Sequence, residues 1–159
     1  MNYHNIKHCD MNNGDGLRVT LFVSGCSHKC HNCHNPQTWD PDSGILFTDK
    51  EKKEIFDELD KDYIAGITFS GGDPLFKANR ETITALAKEI KEKYPNKTIW
   101  LYTGYKFEDI YNLPIMKYID ILVDGRFVES LYSPSLHWVG SSNQRVIDVK
   151  RHLAENISK

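Results

Sequence analysis

Leu17-Arg18-Val19-Thr20-Leu21-Phe22-Val23-Ser24-Gly25-Cys26-Ser27-His28-Lys29-Cys30-His31-Asn32-Cys33 is the stretch that decides how this chain folds. Its first seven residues, LRVTLFV, read as a buried strand. A Ser-Gly turn follows, and then three cysteines within eight residues, spaced by three residues and then by two. Thiolates so close in sequence can wrap one compact centre without help from distant segments. An electron-transfer [4Fe–4S] cluster takes four cysteines. Three leave one iron without a protein ligand, and an open position is what a catalytic metal needs and a structural one does not. The competing reading is a structural zinc held by three cysteines and one of His28, His31 or His34. Zinc sites more often pair two knuckles across a longer insert, whereas here one compact triplet follows a strand. Cys9 stands apart and reads as an ordinary free thiol.

The same grammar repeats outward. Thr48-x-x-Glu51 is a capping box, and Ile55, Phe56 and Leu59 follow at helical spacing. Ile64 to Phe69 is a second strand. Asn79 is placed to cap a helix whose Ile83, Leu86, Ala87 and Ile90 form one apolar stripe, broken by Pro95 and Asn96. Thr98 to Tyr102 is a third strand. Phe107 to Tyr118 is a weaker helical stretch interrupted by Pro114. Ile119 to Val123 is a fourth strand and Arg145 to Val149 a fifth. Strands alternating with helices imply parallel βαβ units and an α/β fold. The first four strands end in Ser24-Gly25-Cys26, Ser70-Gly71-Gly72-Asp73, Thr103-Gly104 and Asp124-Gly125. In a parallel sheet or barrel these ends share one rim, where sites are built. A complete eight-unit barrel needs far more residues, so the expected sheet is a partial, open parallel β/α barrel.

The 159 residues fit a single domain, 1–159, with one core. Lys plus Arg number 20 and Asp plus Glu 22, a balance that speaks against a nucleic-acid binder relying on a basic face. No apolar run reaches the length of a membrane span, and residues 1–10 are polar with no signal-peptide core. A cytoplasmic protein with no membrane or nucleic-acid partner is expected, and in a reducing compartment clustered cysteines read as metal ligands or redox groups.

Six segments together carry a resemblance: Asn13-Gly14-Asp15-Gly16-Leu17-Arg18, Leu21-Phe22-Val23-Ser24-Gly25-Cys26, Ser70-Gly71-Gly72-Asp73-Pro74-Leu75, Tyr102-Thr103-Gly104-Tyr105, Val123-Asp124-Gly125-Arg126-Phe127 and Gly140-Ser141-Ser142-Asn143-Gln144-Arg145. With them the chain, to about residue 149, resembles the activating proteins of anaerobic (class III) ribonucleoside-triphosphate reductases, within the radical S-adenosylmethionine superfamily. Two departures stand out: Gly14-Asp15-Gly16 where the family often has Gly-Pro-Gly, and His34 where it often has tyrosine.

The resemblance implies a partial barrel of the radical S-adenosylmethionine type, with Cys26, Cys30 and Cys33 ligating the cluster. S-adenosylmethionine would chelate the open iron through its amino and carboxylate groups and be cleaved reductively to methionine and a 5′-deoxyadenosyl radical. That radical would take a hydrogen from a backbone glycine of the reductase's large subunit. The implied contacts to S-adenosylmethionine are Asn32, Cys33 and His34 beside the last ligand, with Gly71, Gly72 and Asp73 in the second motif. An electron donor such as a flavodoxin or ferredoxin is implied, and a homodimer is left open. The alternatives are an activase of another glycyl radical enzyme, such as pyruvate formate-lyase, and a non-catalytic zinc or electron-transfer protein. Thr103, Gly104 and Asp124 read as turn or cap residues on the shared rim. Asn143, Gln144 and Arg145 read as facing a partner, the cofactor or solvent.

Overall fold

In a computed structural model, which describes residues 1–33 and 36–157, the LRVTLFV run is a strand, β2 (Arg18–Val23). Its Val19, Leu21 and Val23 are fully buried. Three further strands lie parallel to it in sequence order: β4 (Gly66–Gly71), β5 (Thr98–Tyr102) and β6 (Ile121–Asp124). Arg18 pairs with Gly66 and Val23 with Gly71, so the carboxyl ends of these strands come out level.

Two helices return the chain between parallel strands, α1 (Asp49–Leu59) before β4 and α2 (Arg80–Lys93) before β5. The expected capping box starts α1, with the Glu51 carboxylate accepting from Thr48 N at 2.7 Å. Ile55 and Leu59 of α1 and Ile83, Leu86, Ala87 and Ile90 of α2 join Val19, Leu21, Ile67, Phe69, Ile99 and Leu101 in one core. The period of two along each strand therefore sends one set of side chains to the helices and the other set to the opposite face. The expected helix over 107–118 is instead one turn of α-helix, α3 (Phe107–Ile110), and a separate 3-10 turn at Pro114–Lys117. Pro114 can begin a helical turn but cannot continue one, because it lacks the N–H.

The sheet differs from the purely parallel expectation. It is mixed, open and seven-stranded, in the order β3-β1-β2-β4-β5-β6-β7. The edge strands β1 (Asn2–Asp10), β3 (Ile45–Leu46) and β7 (Arg145–Asp148) all pair antiparallel. The connection over 11–17 is too short for a crossover, so β1 and β2 must form a hairpin. β7 returns from β6 through a loop holding only a 3-10 turn (Glu129–Leu131), with no crossover helix. A last helix, α4 (Val149–Ile157), follows β7 directly. Among the described residues no helix is long and apolar enough to cross a membrane.

The sheet face away from the helices carries Arg18, Thr20, Thr68, Trp100 and Tyr102. Arg18 is 1 % exposed, and its donors meet only neutral oxygens: Thr68 Oγ1 (2.9 Å), Thr98 Oγ1 (2.8 Å), and the carbonyls of Asp15 (3.0 Å), Ile67 (2.8 Å) and Thr98 (2.7 Å). Burial pulls the guanidinium pKa down to about 10. These bonds join the starts of β2, β4 and β5 beneath the 10–16 turn, and losing them strands several buried acceptors. Arg18→Met is expected to lower unfolding free energy by about 3 kcal/mol or more in urea titrations, whereas a loss under about 1 kcal/mol would assign Arg18 no such role.

Candidate metal centre

Because the parallel strands end level, the segments after them meet at one edge. Cys26 beyond β2, Gly71 and Gly72 at the end of β4, Thr103 and Gly104 after β5, and Gly125 after β6 all line one cleft of about 400 Å³. That is the size of ordinary small-molecule sites. Cys30, Cys33 and His28 line it as well.

The cysteine loop is held at its base by its own backbone. Gly25 N donates to Thr38 O at 2.7 Å and Cys26 N to Trp39 O at 3.0 Å, joining the chain leaving β2 to the segment that returns after the loop. Asn79 makes no side-chain cap for α2; it donates instead to Ser24 O at 2.8 Å and anchors the same base. Lys29 and Asn32 have φ of +50° and +54°, a left-handed conformation uncommon outside glycine. Each directly precedes a cysteine, so the chain reverses before Cys30 and again before Cys33, and all three thiols reach the cleft. Gly71 sits at φ +101°, and a Cβ there would meet Val23 N at 2.4 Å, so this turn lies bare against the base of the loop.

The donor set suits an iron–sulfur cluster. Cys26, Cys30 and Cys33 line one cleft, and thiolates are the usual ligands of such clusters. Among the described residues no three His, Cys, Asp or Glu side chains gather closely enough to hold one metal ion. His28 has neither nitrogen to spare: Nε2 lies 2.6 Å from Asp73 Oδ2, and Nδ1 accepts from Arg126 Nε at 3.2 Å. The His31 side chain is 84 % exposed and pairs with Glu129. His34, expected as a contact to S-adenosylmethionine, lies outside the described residues. Cys9 is exposed on β1, its thiol 3.7 Å from Glu58 Oε1, and does not line the cleft. Burial pushes the Cys26 and Cys30 thiols up, so loading the site must displace protons from them.

The other expected contacts separate. Gly71 and Gly72 face the cleft, whereas Asp73 is 1 % exposed. Its carboxylate accepts from Thr103 Oγ1 (2.9 Å), Gly104 N (3.0 Å), Leu75 N (2.8 Å) and His28. Asn32 is exposed at the rim, and its amide donates to Glu129. Asn12, Asn13, Tyr102, Arg126, Phe127 and Trp138 also line the cleft. They come from irregular turns and strand ends, where no period marks them.

Two of the quoted motifs turn out to be one wall. Gln144 Oε1 accepts from Gly140 N (2.9 Å) and Ser141 N (3.1 Å), while its Nε2 donates to Gly125 O (2.9 Å). Asn143 donates to Arg126 O at 2.9 Å. Arg145 pairs with buried Asp124 and, through two bonds, with Glu108. Asp124 also accepts from Phe107 N at 2.8 Å, which starts α3.

Comparison with known proteins agrees with this arrangement. A family model described as a 4Fe-4S single cluster domain matches residues 12–147, from the turn before β2 into β7. Anaerobic ribonucleoside-triphosphate reductase-activating proteins align over nearly their full length. That of Enterobacteria phage T4 is 50% identical over 146 residues, covering 92% of this chain and 93% of the relative. That of Escherichia coli K12 is 45% identical over 150 residues (92% and 97%), and that of Haemophilus influenzae 42% identical over 148 residues (91% and 96%). The chain belongs to the anaerobic ribonucleoside-triphosphate reductase-activating protein family. The segments that pointed to the activating-protein family by sequence are thus the cysteine loop, the strand ends and the wall that enclose one cleft.

The wall makes a pH prediction. Pairing with Arg145 holds the Glu108 carboxyl down to about 2. A carboxylate with a depressed folded pKa stabilises fully above its ordinary range, and that contribution is lost as pH falls toward the folded value. The parent should exceed Glu108→Gln in stability at pH 7 by a margin that shrinks below about pH 4.5 and closes near pH 2. A gap independent of pH in urea titrations would contradict the pairing.

Proposed function

We propose that this chain is the activating enzyme of an anaerobic ribonucleoside-triphosphate reductase, a radical S-adenosylmethionine oxidoreductase whose target is a glycine of the reductase's large subunit. The observation that carries the reading is the set of three thiols, without a fourth from the described residues, facing one cleft beside the Gly71-Gly72 turn. When bound, a [4Fe–4S] cluster and S-adenosylmethionine supply reductive carbon–sulfur cleavage and the hydrogen-abstracting radical that leaves a glycyl radical on the partner. Cys26, Cys30 and Cys33 are the iron ligands, and keeping one iron free of protein leaves room for the amino and carboxylate groups of S-adenosylmethionine. Gly71 and Gly72 offer backbone to that ligand, and glycine is needed there because a Cβ would strike the backbone of Val23 or Gly25. Asn32, His34 and the backbone at Cys33 are the proposed adenine side of the site, and Asp73 supports the turn from behind. Phe127, Tyr132, Leu136 and Trp138 line the remaining wall and limit water near the reacting atoms.

The mixed open sheet is read as a partial barrel of the radical S-adenosylmethionine type, and residues 1–159 as one domain in the cytoplasm. An electron donor such as a flavodoxin or ferredoxin completes the system. The test is to mix the anaerobically reconstituted protein with the candidate reductase, a reductant and S-adenosylmethionine, and to look for a glycyl radical by electron paramagnetic resonance. The parent should give the signal and Cys30→Ala none. A signal of equal size from Cys30→Ala would refute the ligand assignment. A signal with pyruvate formate-lyase but not with the reductase would move the target, and colourless protein containing only zinc would replace the enzyme by a binding module.

A further inference from the structure

We propose that His28 is a positioning residue whose bond to Asp73 locks the cysteine loop onto the ends of the parallel strands and so sets where the cluster sits against the Gly71-Gly72 turn. The inference rests on the cluster reading above and assigns a role to a side chain that the ligand set leaves out. His28 lies between Cys26 and Cys30, yet its side chain turns away from solvent and is 3 % exposed. Arg126 can only donate, so Nδ1 must accept and Nε2 must carry the proton given to Asp73. The bonds run in one direction, from Arg126 after β6, through His28 in the loop, to Asp73 after β4, which Thr103 and Gly104 after β5 also approach. One imidazole thus connects the cysteine loop with segments following three strands. Packing is built around it: the Tyr105 ring lies edge-to-face with the imidazole, ring centroids 4.6 Å apart, and a Cβ at Gly104 would fall 2.4 Å from its Cδ2. Elsewhere in the loop between Cys26 and Cys33, the Cys30 thiol accepts from the Phe127 backbone N–H, and His31 and Asn32 pair with Glu129 at the rim. The rim pairs are exposed and weak, whereas the His28–Asp73 bond is buried and ties the loop to the end of β4.

The test needs no activity. In the metal-free protein, His28→Ala should let a thiol reagent label Cys26 and Cys30 about tenfold faster, because the loop opens where one buried bond held it. His28→Gln places an amide donor near the Nε2 position and should restore the parent rate. After anaerobic reconstitution, His28→Ala should bind S-adenosylmethionine about tenfold more weakly and lose the change that this ligand causes in the reduced cluster's electron paramagnetic resonance spectrum, with His28→Gln again like the parent. Labelling and spectra of His28→Ala equal to the parent's would overturn the proposal. If His28→Ala does not fold, His28→Gln decides: parent-like behaviour supports the bond, and thiols exposed as in unfolded protein refute it. A parent that takes up no iron–sulfur cluster would overturn the reading of the site, and this inference with it. A parent with a cluster and an indifferent His28 would overturn this inference alone.

Discussion

The site depends on a buried carboxylate. Asp73 is all but excluded from solvent, and each donor that satisfies it comes from a segment the cleft needs: His28 from the cysteine loop, Thr103 and Gly104 from the end of β5, Leu75 from the turn after β4. Its own backbone N–H donates to Gly25 O at 2.7 Å, directly before the first cysteine. A carboxylate out of water is costly unless its oxygens are filled, so these donors are constrained together or not at all. In Gly71-Gly72-Asp73 the acid acts as a fastener beneath the site, while the two glycines line the cleft.

That fastening follows from a division of labour across the sheet. One face is apolar, and α1 and α2 cover it with a continuous core. The other face carries Arg18, Thr68, Trp100 and Tyr102, side chains with polar atoms that must be satisfied one by one. Arg18 does so at the amino ends of the strands with five hydrogen bonds to neutral oxygens. At the carboxyl ends the same face opens into the cleft. The edge hairpin and β7 give an open sheet two flanks, and the wall over 125–145 closes one side through Gln144, Asn143 and Arg145. The position of the site is thus a consequence of parallel pairing, and its shape a consequence of side chains bonded to backbone.

What could be read from sequence was what has a period or a spacing. The apolar run of β2, the stripe of α2, the Thr48–Glu51 capping box and the cysteine triplet all obey short repeating rules, and the structure contains each of them. The first strand was not legible because it is polar and its register slips between Tyr3 and Asn5 and again between Lys7 and Asp10, which destroys the alternation. Asn79 stands at a helix start and looks like a cap, but the competing carbonyl of Ser24 is a tertiary partner that no local rule reveals. His28 shares the loop with His31, and nothing in the loop's sequence marks which of these two turns inward. Arg126 and Trp138 reach the cleft from a loop with no strand or α-helix, Trp138 in a left-handed conformation at φ +69°.

The central claim is that three thiolates of this chain hold a cluster and leave one of its irons to the small-molecule ligand. Mössbauer spectroscopy of protein reconstituted with ⁵⁷Fe, recorded with and without S-adenosylmethionine, tests it most directly. The account predicts a cubane signal in which one iron changes its parameters when S-adenosylmethionine is added while the cysteine-ligated irons keep theirs. Irons that all remain unchanged, or iron bound without a cluster, would contradict it.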